Sequence, residues 1–373
     1  LNSYKLLVLL CTTCIILMGC TEQHILERTS LTTLIGYDLA EDDQITVTAA
    51  IRQINPDLES NVEIQSATEP TSRGARLKID LKTSKKIGSG QLRVVLFGEE
   101  LAKAGIVDSI HTLKINPEIS NGIYLAVVEG NSKSLIENNY KNITDIGQHI
   151  FQLIEHNIDQ NHVLSSTLHE INRENLSKLG DYSLPMLKKQ GEYVEISSIG
   201  FFKEDKFVGS LPAEDFLYIK MIRDNLQDGS LGLALPTTTL ELSSDDSSEE
   251  IQIAVDSIKS KRKIKLADKT VPEFDLLIDL ESRLVEVPSN LRIKNIESTE
   301  NLEKAINKKI ESEINRIIQY SQEINSDIFR FGERYKAQVR KANIDLEKWH
   351  EMYTEMKVNV TVNTKIVRDG VFQ

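Results

Sequence analysis

Between residues 299 and 318 the chain repeats an apolar side chain every three to four positions. Leu302, Ile306, Ile310, Ile314, Ile317 and Ile318 fall on one stripe, while Glu303, Lys304, Asn307, Lys308, Glu311 and Arg316 occupy the remaining faces. That period predicts an amphipathic α-helix opened by Thr299 and Glu300, and roughly two dozen residues would make it about 35 Å long. A helix with a single apolar stripe draws its stability from burying that stripe against another element. A partner of matching length is therefore required, and the helix is expected to span its domain and pack across a sheet.

The flanking sequence supplies such a sheet. Residues 233–242, 250–265 and 274–287 are rich in β-branched side chains and read as antiparallel strands, and a last alternating strand covers 358–366 after a short helix around Leu346-Glu347-Lys348-Trp349. The run Ser243-Ser244-Asp245-Asp246-Ser247-Ser248-Glu249-Glu250 reads as an exposed loop, because its like charges repel. This half opens at residues 199–211 with two apolar runs around a Lys203-Glu204-Asp205-Lys206 turn, a hairpin, and continues into a helix over 213–225 with Phe216, Ile219 and Met221 or Ile222 inward.

The first half has a different rhythm. Residues 32–38 and 44–51 flank the acidic turn Ala40-Glu41-Asp42-Asp43 and predict a hairpin. Residues 55–69, polar and bounded by Pro56 and Pro70, read as a loop or irregular edge. A helix over 71–81 places Ala75, Ile79 and Leu77 on one side. A strand over 91–98, helices over 99–104 and 106–113, and a strand over 123–130 then predict a βαβ-like unit with the sheet covered on at least one face. Residues 143–180 are helical by period, through Ile146, Ile150, Leu153 and Ile154 and then Leu164, Leu168, Ile171 and Leu176. Pro185 and Lys188-Lys189-Gln190-Gly191-Glu192 end this half. The expected class is α+β: a multidomain mixed α/β chain with largely antiparallel or mixed sheets, packed helices and one long helix in the C-terminal half. The expected division is 20–195 and 196–373, and a further split near 235 would give three domains.

Residues 1–19 stand outside this fold. Residues 7–20 form an apolar run preceded by Lys5 and followed by Thr21-Glu22-Gln23. The run is shorter than the about 20 residues a helix needs to cross a bilayer, and its layout is that of a cleaved export signal. Its last four residues, Leu17-Met18-Gly19-Cys20, resemble a bacterial lipobox, which makes Cys20 the lipidated first residue after cleavage. The alternative is an uncleaved N-terminal anchor helix. Cleavage removes Cys11 and Cys14, leaving one of three cysteines, so no internal disulfide forms and core burial must hold the chain together. At 373 residues, 40% hydrophobic and 27% charged, it can do so. The formal charge is −12, and losing Lys5 takes it one unit lower. Such a surface repels nucleic acid and anionic headgroups, so membrane attachment falls to the lipid, whose two acyl chains hold firmly where one does not.

No catalytic constellation emerges. His149, His156, His162 and His169 share one helical region, but the pairs are seven apart, about 10 Å along the axis, whereas a metal prefers ligands three to five apart. Gly88-Ser89-Gly90 precedes a strand instead of following one, and no phosphate-binding or nucleophile-elbow motif occurs. The acidic serine run lacks the central glycine of a calcium loop. No catalytic, cofactor-binding or metal residue is assigned, and no cofactor is expected.

With the lipobox at its head, the order of segments resembles the Ger(x)C family, the lipoprotein C subunits of spore germinant receptors. The likeness is carried by Gly36-Tyr37-Asp38, by the strand from Arg93 to Gly98 running into Glu99-Glu100-Leu101-Ala102, and by Gly200-Phe201-Phe202-Lys203 leading to Val208-Gly209. Asp327-Ile328-Phe329-Arg330-Phe331-Gly332, Trp349 and the closing Asp369-Gly370 complete it. Thr21 follows Cys20 where many members have tryptophan, and no proline lies between Phe331 and Trp349. The resemblance implies a non-enzymatic subunit held by a diacylglyceryl group on Cys20 at the outer face of the spore inner membrane. Its implied partners are a receptor A subunit with a membrane part and a polytopic B subunit, in a complex that answers small nutrients. A lipid-anchored extracytoplasmic protein that binds a small ligand itself is the alternative.

Overall fold

The structure, a computed structural model, describes residues 4, 29–53, 62–177, 179–237, 249–288, 291, 296–339 and 344–367. Cys20, the acidic serine run up to residue 248 and Asp369-Gly370 lie outside the described residues. Two sheets organise the rest. β1 (Thr29–Leu39) and β2 (Ile45–Arg52) form the expected hairpin, paired from Leu31↔Arg52 to Leu39↔Ile45 around a short turn at Glu41–Asp43. β3 (Val62–Glu69) then pairs antiparallel with β2 along its whole length. This region reads as loop in the sequence, and the reason is its place at the edge: among its residues only Ala67 is buried, so the apolar alternation that betrays a strand is faint.

α1 (Ser72–Asp80) follows, begun by the Thr71 hydroxyl, which accepts from the Gly74 N–H at 3.1 Å. Ala75 and Ile79 face the core, whereas Leu77, grouped with them in the sequence, is exposed because it lies about 200° around the helix from Ala75. β4 (Lys86–Gly88) lies parallel to the start of β1. β5 (Val94–Gly98), α2 (Glu99–Ala104), α3 (Val107–Ile115) and β6 (Tyr124–Val128) make the predicted βαβ unit, with β5 parallel to both β1 and β6. α4 (Ser132–Ile136), α5 (Ile146–Asp159) and α6 (Leu168–Ser177) lead to β7 (Ser183–Gln190), β8 (Tyr193–Lys203) and β9 (Lys206–Pro212).

Together these strands make a nine-stranded sheet in the order β3-β2-β1-β5-β6-β7-β8-β9, with β4 beside β1. Both faces are covered. Ile35, Tyr37, Val47, Val95, Phe97 and Val127 point to one core, and Leu34, Ala50, Val94, Leu96, Ala126 and Val128 to the other. β7 was not evident from sequence, since Pro185 argues against a strand. It is tolerated because β7 meets β6 at only Met186 and Leu187 before turning to β8. Residue 195 lies within β8, so this sheet runs on to Pro212.

α7 (Phe216–Arg223) connects to the second sheet, β10 (Leu231–Pro236), β11 (Glu250–Asp268), β12 (Glu273–Glu286) and β13 (Lys357–Ile366). β10 to β12 are antiparallel as expected, and β13 runs parallel to β12 from Glu273↔Lys357 to Ser282↔Ile366. The crossover holds α8 (Ile296–Glu323), α9 (Phe331–Gln338) and α10 (Leu346–Tyr353). At 28 residues α8 is about 42 Å long, and its predicted stripe is buried in one core with Leu233, Ile253, Val255, Phe274, Leu276 and Ile278. Ile199, Phe201 and Leu211 of the first sheet join that core.

The polar face of α8 also has a partner. Glu303, Asn307 and Glu311 accept from the backbone N–H groups of Ile366, Thr364 and Val362, each at 2.8 Å. Four helical residues advance about 6 Å and two strand residues about 6.6 Å, so one row of helix side chains satisfies successive outward N–H groups of β13. The open edge of the sheet is thereby closed.

Candidate functional site

Two clusters collect the segments that stand out in the sequence. The first lies at the carboxyl ends of β1, β5 and β6. Asp38, nearly fully buried, accepts from the Ser132 N–H at 2.7 Å, the Ser132 hydroxyl at 2.8 Å and the Lys133 N–H at 2.9 Å, so it holds the first turn of α4. Burial pushes its carboxyl above the ordinary value, against those three hydrogen bonds. Gly36 and Gly98 permit the approach: a Cβ on Gly36 would stand 2.4 Å from the Ser132 hydroxyl, and one on Gly98 would collide with the Asp38 carboxylate. Tyr37 and Phe97 stack beneath at 5.9 Å.

The second cluster joins the two sheets. Asp327 follows α8 and is completely buried; its Oδ1 accepts from Phe331 N–H at 3.1 Å, and its Oδ2 from Gly332 N–H at 2.8 Å and Trp349 Nε1 at 2.9 Å. Arg330 adopts a left-handed conformation, φ 62° and ψ 39°, and this reversal between Asp327 and α9 lets the next two N–H groups point back at the carboxylate. Burial drives the Asp327 carboxyl up to about 7, against those donors.

Asp181, before β7, closes the connection. Its Oδ1 accepts from Glu204 N–H at 2.8 Å, and its Oδ2 accepts from Asp327 N–H at 2.8 Å and lies 3.0 Å from His350 Nε2. The Asp181 N–H donates to the Asp327 carbonyl at 3.0 Å, and the Ser326 hydroxyl donates to the Phe202 carbonyl at 2.6 Å. The β8–β9 hairpin, the segment before β7, the end of α8 and the starts of α9 and α10 thus meet at one pair of carboxylates. Although Asp and His side by side are the parts of an acid–base couple, every carboxylate oxygen here is occupied and all four side chains are buried, including Trp349. The arrangement acts as a lock.

Of the residues singled out in the sequence, Gly332 and Trp349 fall at this lock, where a Cβ on Gly332 would stand 2.7 Å from Trp349 Nε1. Asp181 and His350 were not singled out. The adjacency of His350 to Trp349 was the available signal, but Asp181 lies 146 residues from Asp327 and nothing local marks it. His149 and His156 lie on α5, His162 beyond its end and His169 on α6. Among the described residues no group of three or more His, Cys, Asp or Glu side chains could hold a metal ion. Ser89 of the Gly88-Ser89-Gly90 turn is tied internally, with its N–H on Glu118 and its hydroxyl taking a hydrogen bond from Arg76.

Comparison with known proteins matches both halves of the chain. Residues 22–189 match the spore germination protein N-terminal domain, and residues 197–370 match the domain described as spore germination B3/GerAC like, C-terminal. The chain belongs to the Ger(x)C family. Among family relatives, spore germination protein GerQC of Bacillus cereus is 25% identical over 358 residues, covering 96% of each chain. The crystal structure of the GerBC protein superimposes with a TM-score of 0.53 at 17% identity, covering 90% of this chain and 97% of that one, so the fold is shared. The Ger(x)C matches leave only residues 190–196 between them, the turn of the β7–β8 hairpin with the first residues of β8.

Proposed function

We propose that this germination protein is a non-enzymatic, lipid-anchored subunit of a spore nutrient germinant receptor, and that it serves in assembly of the receptor with its A and B membrane subunits. The observation that carries the reading is the family match, which begins two residues after Cys20 and continues to residue 370. Among the described residues no helix is long and apolar enough to cross a membrane, and the attachment in this reading is a diacylglyceryl group on Cys20. Anchored there, the folded body lies at the outer face of the spore inner membrane and offers its surfaces to the membrane subunits. The buried lock at Asp181 and Asp327 supports a docking role, because it joins two sheets into one body. The test is co-isolation of an affinity-tagged full chain from detergent-solubilised spore inner membrane. A polytopic protein and a larger protein with a membrane part should accompany it in fixed ratio, and recovery of the chain without either contradicts the proposal. A second reading, a lipid-anchored protein that binds a small ligand itself, is favoured by one cavity.

A further inference from the structure

A cavity of about 430 Å³ opens where α6, the end of α7, β11 and the start of α9 converge. It falls in the size range of small-molecule sites. Arg173, Arg223, Arg262, Arg330 and Arg334 line it, an unusual density of guanidinium groups in a chain of formal charge −12. The neighbouring carboxylates, Glu170, Glu174, Asp224 and Glu333, are one fewer than the arginines and offset them in part. Glu174 is shared by Arg223 and Arg330. Glu170 holds the start of α6 through its Oε2, which accepts from the Ser165 hydroxyl at 2.5 Å, the Thr167 N–H at 3.1 Å and the Thr167 hydroxyl at 2.9 Å, and Arg173 stands close enough to help keep it ionised. Asp224 and Glu333 remain, facing Arg173, Arg262 and Arg334, which make no direct ion pair among the described residues.

The Nε atoms of Arg262, Arg330 and Arg334 are buried without a hydrogen-bond partner. An unsatisfied buried donor is destabilising, more so when charged. Burial pulls Arg262 down to about 10 and Arg334 nearby adds to the effect, while Asp224 opposes it. Planar guanidinium forks match carboxylate and phosphate oxygens two at a time. Leu164, Phe329 and Ala337 add apolar surface to the lining, which suits a short carbon body carrying the charge.

We propose that this cavity is a binding site for a small organic dianion, a dicarboxylate or a phosphate ester on a short carbon skeleton, held chiefly by Arg262 and Arg334. The assignment is independent of receptor membership, since it concerns binding by the isolated chain. A free soluble anion is favoured over a lipid headgroup because the overall charge repels anionic membranes.

Calorimetric titration of the full chain in detergent with glutarate and with glycerol 3-phosphate, against chloride at equal ionic strength, tests it. Saturable binding of at least one probe is expected, weakened at least tenfold in Arg262→Gln and in Arg334→Gln, with a rise in Tm that chloride does not reproduce and both variants lose. No saturation up to about 10 mM, where even a millimolar site is filled, overturns the proposal. Undiminished binding in both variants also overturns it, as does binding seen only with phosphatidylglycerol vesicles. Should either variant fail to fold, the wild-type Tm still decides: an equal rise with probe and chloride refutes a built site.

Discussion

Gly332→Ala probes the lock between the two sheets. By helix propensity alone the change favours α9 by about 1 kcal/mol. The surroundings reverse that sign. The added methyl would stand 2.4 Å from the Leu179 carbonyl oxygen, 2.7 Å from Trp349 Nε1 and 2.8 Å from Trp349 Cε2. Neither neighbour is the free end of a mobile side chain: one is backbone, and the other is a fully buried ring packed between Tyr335 at 5.7 Å and Tyr353 at 6.0 Å. Overpacking of a tight core costs about 1–3 kcal/mol. Displacing the indole also stretches its 2.9 Å hydrogen bond to Asp327, and a bond to a charged group contributes about 1.5–3 kcal/mol. Set against the propensity gain, the net loss is about 1.5–5 kcal/mol. Urea unfolding followed by far-UV circular dichroism measures it, and the fluorescence of Trp349, the sole tryptophan, reports the lock directly. Gly90→Ala is the control: nothing lies within 4 Å of its Cβ position, and a change within about 0.5 kcal/mol is expected. A Gly332→Ala chain as stable as wild type, with unchanged tryptophan emission, would refute the reasoning.

Asn307→Ala removes the acceptor of the Thr364 N–H on β13 and should cost about 1–3 kcal/mol, whereas Asn307→Asp keeps the oxygen and most of the stability; equal losses in the two variants, by urea midpoint, contradict the edge-closing role. Asp327 carries a pH signature. Its carboxyl is raised from 3.8 to about 7, so across that window the folded chain holds a proton that the unfolded chain has released, and its contribution to stability falls as pH rises. The difference in unfolding free energy between wild type and Asp327→Asn should therefore shrink from pH 5 to pH 7, and a difference that grows with pH refutes the assignment.

Legibility followed the range of the interactions. The stripe of α8, the β1–β2 hairpin and the β5-to-β6 crossover were readable because period, turn residues and helix ends lie within a few residues of one another. β3 and β7 were not, since an edge strand with one buried residue and a strand interrupted by Pro185 carry little local pattern. Nothing in the sequence marks a partner for the polar face of α8, yet Glu303, Asn307 and Glu311 are turned to β13, and only the sheet topology reveals that. The segments that carry the family likeness proved to be where chains of contact meet: Gly36 to Asp38 and Gly98 at one cluster, Asp327 to Gly332 and Trp349 at the other. Their partner Asp181 and the arginines of the cavity come together from α6, α7, β11 and α9, and no spacing along the chain announces them.

The proposed role rests on position, and Cys20→Ala tests it most directly. In spores whose nutrient response depends on this receptor alone, the substitution should move the chain from the membrane to the soluble fraction and abolish or severely slow nutrient-triggered germination, while circular dichroism of the released chain matches wild type. A released, folded chain with germination at the wild-type rate would contradict the account.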